Sequence, residues 1–137
     1  MNKYANTIEV IVRLVIKREN KVLLCVNKET NSYFLAGGHV EFGDTFEKTI
    51  YKETAEELGW TKEDIRSFKF KGYLENSYSY KDGAEPHAEV NMIFDVQIND
   101  SASIESKESH IGFEWVEVSN VQNIKILPEP IVPFLTQ

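Results

Sequence analysis

The stretch that decides the fold is residues 36–60, which read AGGHVEFGDTFEKTIYKETAEELGW. It opens with adjacent glycines, and its residues 45–58 are the strongest helix candidate in the chain. Asp44 has a side chain suited to an N-cap, and Glu47 follows three residues later, as in a capping box. Gly59 provides a C-cap glycine. The stretch therefore predicts a glycine-bearing loop followed by one amphipathic helix.

The predicted helix has two different faces when its residues are placed at 100° intervals. The face expected to pack on the core contains Ile50, Tyr51, Thr54, Ala55 and Leu58. A separate arc contains Glu53, Glu56 and Glu57, with the small Thr49 among them. Like charges at this spacing repel each other by roughly 0.2–0.5 kcal/mol per pair. We therefore expect an ion of opposite charge to compensate them.

Carboxylate oxygens of this kind are hard ligands that suit Mg²⁺, with Mn²⁺ as a substitute. The backbone of Gly37 and Gly38 can come close to whatever the carboxylates hold, because glycine has no side chain. Such a metal would neutralise the glutamates, polarise a phosphoryl oxygen and make a bound water nucleophilic. A solvated acidic face is the alternative for a generic helix. The spacing of the glycines and glutamates favours the metal.

From Gly38, five residues lead to Asp44, and seven more lead to Lys52-Glu53-Thr54-Ala55-Glu56-Glu57-Leu58-Gly59-Trp60. This spacing resembles the Nudix box: a glycine, five residues, a glutamate, seven residues, Arg-Glu, an aliphatic residue, any residue, Glu-Glu, any residue, a glycine and an aliphatic residue. The resemblance covers residues 38–60 and extends more weakly over most of the chain. It implies an α+β Nudix fold, an α/β/α sandwich around a mixed β-sheet with the box as loop, helix and loop.

The same resemblance implies roles for individual residues. Glu53, Glu56 and Glu57 would bind the metal ions, and one of them would also deprotonate water. The carbonyl of Gly37 would join the metal ligands. Gly37 and Gly38 would contact the substrate.

Two departures from the box bear on catalysis. Asp44 stands where the family has a glutamate, so it would act in catalysis with a shorter side chain, or serve as the N-cap instead. Lys52 replaces an arginine of the catalytic set and loses the planar fork that pairs bidentately with a carboxylate. It could still meet Glu56 or anchor Glu53. Two further departures affect packing more than chemistry: Thr54 and Trp60.

Alternating apolar residues predict strands on both sides of the box. Strands are predicted at residues 7–16 and 22–26, joined as a hairpin by a turn at 19–21, and again at 33–35, before a loop at 36–43. Further along, the sequence predicts a helical turn at 61–64, strands around 68–70, 90–98 and 113–116, a turn at Asp82-Gly83, and a tail of loop with a terminal helical turn.

Outside the box, Glu89 and Tyr78 are candidate substrate contacts. Glu89 lies on the predicted strand face opposite Val90, and many Nudix enzymes recruit an extra glutamate beyond the box as base or ligand. An exposed strand residue is the alternative for Glu89. Tyr78 lies where the dinucleoside-polyphosphate branch often carries a tyrosine. Weaker candidates are Glu108, three histidines without metal-ligand spacing (His39, His87, His110), and aromatic residues that could stack on a base or belong to the core (Tyr33, Phe34, Tyr80).

Composition limits the class of protein. With 137 residues and no low-complexity stretch, the chain is expected to be one domain, residues 1–137. Its one cysteine, Cys25, excludes an internal disulfide and a multi-thiolate zinc site, which agrees with a cytoplasmic location. Charged residues interrupt the first 22 residues, so neither a signal peptide nor a membrane helix is expected. A net charge of -7 argues against duplex nucleic acid as a partner.

The resemblance implies Mg²⁺-dependent hydrolysis of a phosphoanhydride bond in a nucleoside diphosphate derivative. Nucleoside triphosphates, dinucleoside polyphosphates and nucleotide sugars are the candidate substrates, for a monomer or a homodimer. Removal of pyrophosphate from RNA 5′ ends is disfavoured by the acidic charge. The alternative function, which the changes at Asp44 and Lys52 leave open, is a non-catalytic nucleotide-binding or regulatory Nudix domain.

Overall fold

The computed structural model describes residues 7–78, 87–104 and 111–137. Its strands are β1 (Ile8–Arg18), β2 (Lys21–Asn27), β3 (Ser32–Phe34), β4 (Ala36–His39), β5 (Ile65–Tyr78), β6 (His87–Ile98) and β7 (Ile111–Glu117). Its α-helices are α1 (Phe46–Leu58) and α2 (Val132–Leu135), and 3-10 helices occupy Lys62–Asp64, Val118–Asn123 and Glu129–Ile131. Within the described ranges, no helix is both long and apolar enough to cross a membrane. Asp82-Gly83, Tyr80, Glu108 and His110 lie outside the described residues, as do the side chains of Tyr78 and His87.

The strands form one mixed sheet in which β1 is central. β1 runs parallel to β6 and antiparallel to β4, whereas it pairs with β2 only near the turn, through Lys17 and Arg18. The predicted opening hairpin is therefore confirmed only at its tip, where Glu19 adopts a positive φ of 58°. β2 pairs instead with β3 and β7 along most of its length.

A core layer lies on each face of the sheet, because side chains alternate along a strand. On one face, Leu14 and Ile16 pack with Ile50 and Leu58 of α1. On the other face, buried residues of the sheet pack with buried residues of the C-terminal segment: Val15, Leu24 and Ile93 with Val121, Ile131 and Leu135. Helical segments therefore cover both faces, which confirms the α/β/α sandwich around a mixed sheet.

The predicted helix forms, but its cap is a different residue. Thr45 is the N-cap, and its side-chain oxygen accepts a hydrogen bond from the backbone N–H of Lys48 at 3.1 Å. The prediction of Asp44 as N-cap is therefore wrong by one residue. Gly59 ends the helix in the left-handed conformation, with a φ of 72°, as predicted. Ala55 was expected in the core but is exposed.

The glycine-bearing segment begins as a strand. Residues Ala36–His39 form β4, which pairs antiparallel with β1 from Ile11 to Leu14. The predicted loop at 36–43 is therefore wrong over its first half. Two adjacent glycines have low strand propensity, and the strand forms here because β1 provides a complete pairing partner.

Candidate active site

Gly37 of β4 is held against the last turn of α1. Its backbone N–H donates a hydrogen bond to Oε1 of Glu57 at 3.2 Å, and Glu57 is only 8% exposed. The N–H and C=O of one residue in an antiparallel strand point to the same side. The carbonyl oxygen of Gly37 therefore lies along the strand edge that Glu57 contacts. Gly37 has a φ of 147°, and a Cβ at this position would lie 1.9 Å from the carbonyl oxygen of Val12.

Gly38 makes room for a second carboxylate. A Cβ on Gly38 would lie 2.3 Å from Cδ of Glu53 and within 2.5 Å of both its oxygens. The carboxylate of Glu53 therefore fills the space that any other side chain at residue 38 would occupy. Glu53 and Glu57 are one helical turn apart, and both carboxylates lie beside β4, that of Glu53 at Gly38 and that of Glu57 at Gly37. Glu56 is exposed and lies further around the helix.

The oxygen donors along this edge fit a divalent cation of the magnesium type. Among the described residues, no three His, Cys, Asp or Glu side chains converge on a single point. Mg²⁺ does not need such a cage, because it is usually bound by one or two carboxylates, several waters and substrate phosphates. Two carboxylates beside a backbone carbonyl provide a donor set of that kind.

Asp44 and Lys52 meet beside the start of α1. Oδ1 of Asp44 lies 3.1 Å from Nζ of Lys48, and its Oδ2 lies 3.9 Å from Nζ of Lys52. From the sequence, Lys52 was expected to meet Glu56 or to anchor Glu53. In the structure Lys52 forms an ion pair with Asp44 instead. These ion pairs tie the loop that enters α1 to the exposed side of the helix.

A cavity of about 670 Å³ opens on the sheet face opposite α1. Its polar lining includes Arg13, Asn76 and Glu89, and Phe34 and residues 127–130 supply most of its apolar lining. Arg13 is the cross-strand partner of Gly37 in the β1–β4 pair. Arg13 therefore lines the cavity, while its partner Gly37 contacts Glu57. This residue pair connects the cavity to the glutamates of α1. A cavity of this size is typical of small-molecule sites.

Glu89 lies at this cavity and is only 7% exposed, so its interpretation as an exposed strand residue is wrong. Its Oε1 accepts hydrogen bonds from Nδ2 of Asn91 at 3.2 Å and from Nδ2 of Asn76 at 3.4 Å. Nε of Arg13 donates to Oδ1 of Asn91 at 3.2 Å. Glu89 is therefore part of a buried polar network on the cavity face, away from the α1 glutamates.

Sequence reasoning missed Arg13 and Glu9 as candidate site residues. Glu9 is 5% exposed, contacts Nε2 of His39, and is the cross-strand partner of Glu89. The available signal was a charged residue inside an otherwise apolar strand pattern. Both residues share the strand face of Ile11 and Val15, where an exposed charge was the simpler interpretation.

The aromatic candidates Tyr33 and Phe34 have different surroundings. Phe34 lines the cavity. Tyr33, the preceding residue of β3, packs instead against the core layer formed with the C-terminal segment. A hydrogen bond with Glu114 is the main cause that raises the pKa of the Tyr33 phenol above its usual value, with burial and the charge of Glu114 as further causes.

No curated protein matches the chain. In fold it resembles the MutT protein of Bacillus halodurans, with a TM-score of 0.69 at 17% identity over 92% of this chain and 79% of that one. The E. coli dihydroneopterin triphosphate pyrophosphohydrolase gives 0.68 at 13% identity over 96% and 94%. A C. elegans Ap4A hydrolase gives 0.64 at 18% identity over 94% and 94%. At such identities these structures show a shared fold.

The NUDIX domain model matches residues 7–136, which is almost the whole chain. The match includes the glycines of β4, the glutamates of α1 and the strands that line the cavity. The chain therefore belongs to the NUDIX domain family.

Proposed function

We propose that this chain is a divalent-cation-dependent pyrophosphohydrolase that cleaves a phosphoanhydride bond in a nucleoside diphosphate derivative. Membership of the NUDIX domain family supports the reaction type, and similarly folded proteins include MutT and an Ap4A hydrolase. The observation that carries the proposal is the placement of two α1 carboxylates, from Glu53 and Glu57, against adjacent glycines of β4.

In this proposal Glu53 and Glu57 hold Mg²⁺, with Glu56 and the carbonyl of Gly37 as further oxygen ligands. When bound, the cation polarises a phosphoryl oxygen and makes a water nucleophilic. The N–H of Gly37 fixes the orientation of the Glu57 carboxylate. One of the three glutamates accepts the proton of the water that attacks phosphorus, and a nucleoside monophosphate leaves.

The cavity supplies the binding half of the proposed site. Its volume of about 670 Å³ suits a nucleoside. Arg13 lines the cavity and pairs with Gly37, so phosphates extending past Arg13 reach the edge of β4. Nucleoside triphosphates, dinucleoside polyphosphates and nucleotide sugars all share the diphosphate unit that this placement requires.

The test compares Glu57→Gln with Glu47→Gln, a matched change in the exposed first turn of α1. Loss of an acid–base or metal-holding carboxylate is expected to lower kcat by about 10²–10⁴-fold, whereas Glu47→Gln leaves it within about twofold of wild type. The measurement is Mg²⁺-dependent release of phosphate or pyrophosphate from a nucleotide panel, with the products identified.

Two outcomes would contradict the proposal. Turnover that survives simultaneous replacement of Glu53, Glu56 and Glu57 by glutamine would exclude the proposed role of the α1 face. Tight nucleotide binding by the wild type without turnover at any Mg²⁺ or Mn²⁺ concentration would support a non-catalytic binding domain instead.

A further inference from the structure

The polar network beneath the cavity has a fixed hydrogen-bond direction. An arginine side chain can only donate, so the neighbour of Nε of Arg13, 3.2 Å away, must be the carbonyl oxygen of Asn91. The amide nitrogen of Asn91 then faces Oε1 of Glu89 at 3.2 Å. Nδ2 of Asn76 approaches the same oxygen at 3.4 Å. Arg13 is itself held by the backbone oxygen of Leu35 at 3.1 Å. The network therefore presents Glu89 to the cavity as an acceptor.

From this arrangement we propose that Glu89 selects ligands whose ring carries two adjacent N–H donors, as in the N1–H and 2-amino groups of a guanine-type ring. The inference deepens the proposed function and depends on it for the reaction, but not for binding. A carboxylate has about four acceptor positions. Glu89 can therefore accept from a ligand edge as well as from Asn76 and Asn91.

Other ring edges match this acceptor poorly. Adenine and cytosine place an amino group beside a ring nitrogen that is itself an acceptor, and uracil places its N–H between two carbonyl oxygens. Each of these edges directs lone pairs at the carboxylate of Glu89. A ligand edge of this kind loses its hydrogen bonds to water on entering the cavity and gains none from Glu89, which lowers its affinity.

The remaining walls and the charge of the cavity fix the direction of entry. Phe34, Leu127, Pro128 and Pro130 offer apolar surface for a planar ring. Phosphates are repelled by the Glu89 carboxylate, whereas the guanidinium of Arg13 donates through Nη1 to the backbone oxygen of Leu35, directly before β4. A nucleotide therefore enters with its base toward Glu89 and its phosphates toward β4.

The test measures binding of GMP, inosine monophosphate and AMP by calorimetry in EDTA, where no hydrolysis interferes. Inosine monophosphate differs from GMP only in lacking the 2-amino group. Hydrogen bonds to a charged partner are worth about 10- to 100-fold in affinity, so GMP is expected to bind tighter than inosine monophosphate by that factor. Glu89→Gln is expected to bring the two affinities within about threefold of each other.

The matched control is Glu75→Gln on β5, an exposed residue that pairs with Val90 and faces the other side of the sheet. It is expected to keep the wild-type preference for GMP. Circular dichroism melting of each variant verifies folding, and the wild-type comparison of GMP with inosine monophosphate needs no variant.

Equal affinity of the wild type for GMP and inosine monophosphate would overturn the inference. So would a Glu89→Gln variant that binds all three nucleotides more weakly by one common factor, because Glu89 would then contact the sugar. A preference for GMP in a protein without turnover would contradict the hydrolase proposal and leave this inference intact. Turnover of a nucleotide panel without a preference for GMP would contradict this inference and leave the hydrolase proposal intact.

Discussion

Gly37 and Gly38 are neighbours in the sequence, but their missing side chains make room for different groups. At Gly37 the space is taken by backbone, the carbonyl oxygen of Val12. At Gly38 it is taken by the end of a flexible side chain, the carboxylate of Glu53. One glycine is therefore required by the fold, and the other by the position of a candidate metal ligand.

Gly38→Ala is expected to reduce function with little effect on folding. The new methyl group would displace the Glu53 carboxylate, and misplacing a catalytic group by about 1 Å can cost about 10²-fold in rate. We expect Mg²⁺-dependent turnover to fall by that order, while the free energy of unfolding changes by less than about 1 kcal/mol, since the end of the flexible Glu53 side chain can move at little cost.

Gly37→Ala provides the contrast. Its methyl group would meet the backbone of β1 in a conformation that L-residues rarely adopt. We expect a loss of at least about 1–3 kcal/mol in unfolding free energy, measured by urea denaturation of both variants. Equal destabilisation by the two alanines would show that Gly38 also serves the fold.

At this scale the sequence predicts the glutamates of α1 better than it predicts the surroundings of Glu89. Glu53, Glu56 and Glu57 lie within one helix, so their spacing alone places them together. One partner of Glu89, Asn91, lies two residues along the same strand β6, whereas the other, Asn76, comes from β5. Strand alternation gives the face of a residue, but no local pattern gives its neighbours across the sheet.

Among the elements, α1 begins at the residue whose side chain reaches the free N–H groups. Thr45 makes the capping bond, whereas Asp44 is used in ion pairs with Lys48 and Lys52. Both residue types are good N-caps, so the sequence could not distinguish two adjacent candidates.

Thr45→Ala is expected to lower the free energy of unfolding by about 1 kcal/mol, the usual cost of losing an N-cap. Asp44→Asn removes partly exposed ion pairs and is expected to cost less than about 1 kcal/mol. Chemical denaturation of the two variants under identical conditions measures the difference. A larger loss of unfolding free energy in Asp44→Asn than in Thr45→Ala would show that Asp44 is the N-cap.

Strand positions follow from periodicity, and their pairing does not. β1 and β6 appear in the sequence as clean alternations, yet their parallel pairing joins segments more than 70 residues apart. A short turn made the β1–β2 hairpin the simplest expectation, and β1 instead pairs mainly with β4 and β6.

For the whole molecule, the C-terminal segment closes the second core layer and also walls the cavity. Ile131 is fully buried, and residues 127–130 directly before it line the cavity. Stability and ligand binding therefore depend on the same short segment.

Ile131→Ala is expected to cost about 2–4 kcal/mol of unfolding free energy, as for other large-to-small core changes, and to weaken nucleotide monophosphate binding as the cavity wall loosens. The exposed Gln122→Ala serves as control. Denaturation curves and calorimetric titrations measure both effects. Unchanged affinity in a destabilised Ile131→Ala protein would show that the wall is held by other contacts.

β4 separates the two halves of the proposed site, with carboxylates along its outer edge and a recognition cavity beyond its inner neighbour, β1. Side chains that face the cavity do not belong to the helix that carries the glutamates. Substrate preference can therefore drift through changes at the cavity while the cleavage chemistry is inherited intact. The same partition makes the cavity a practical target for redesign, because a new base preference can be engineered without editing α1.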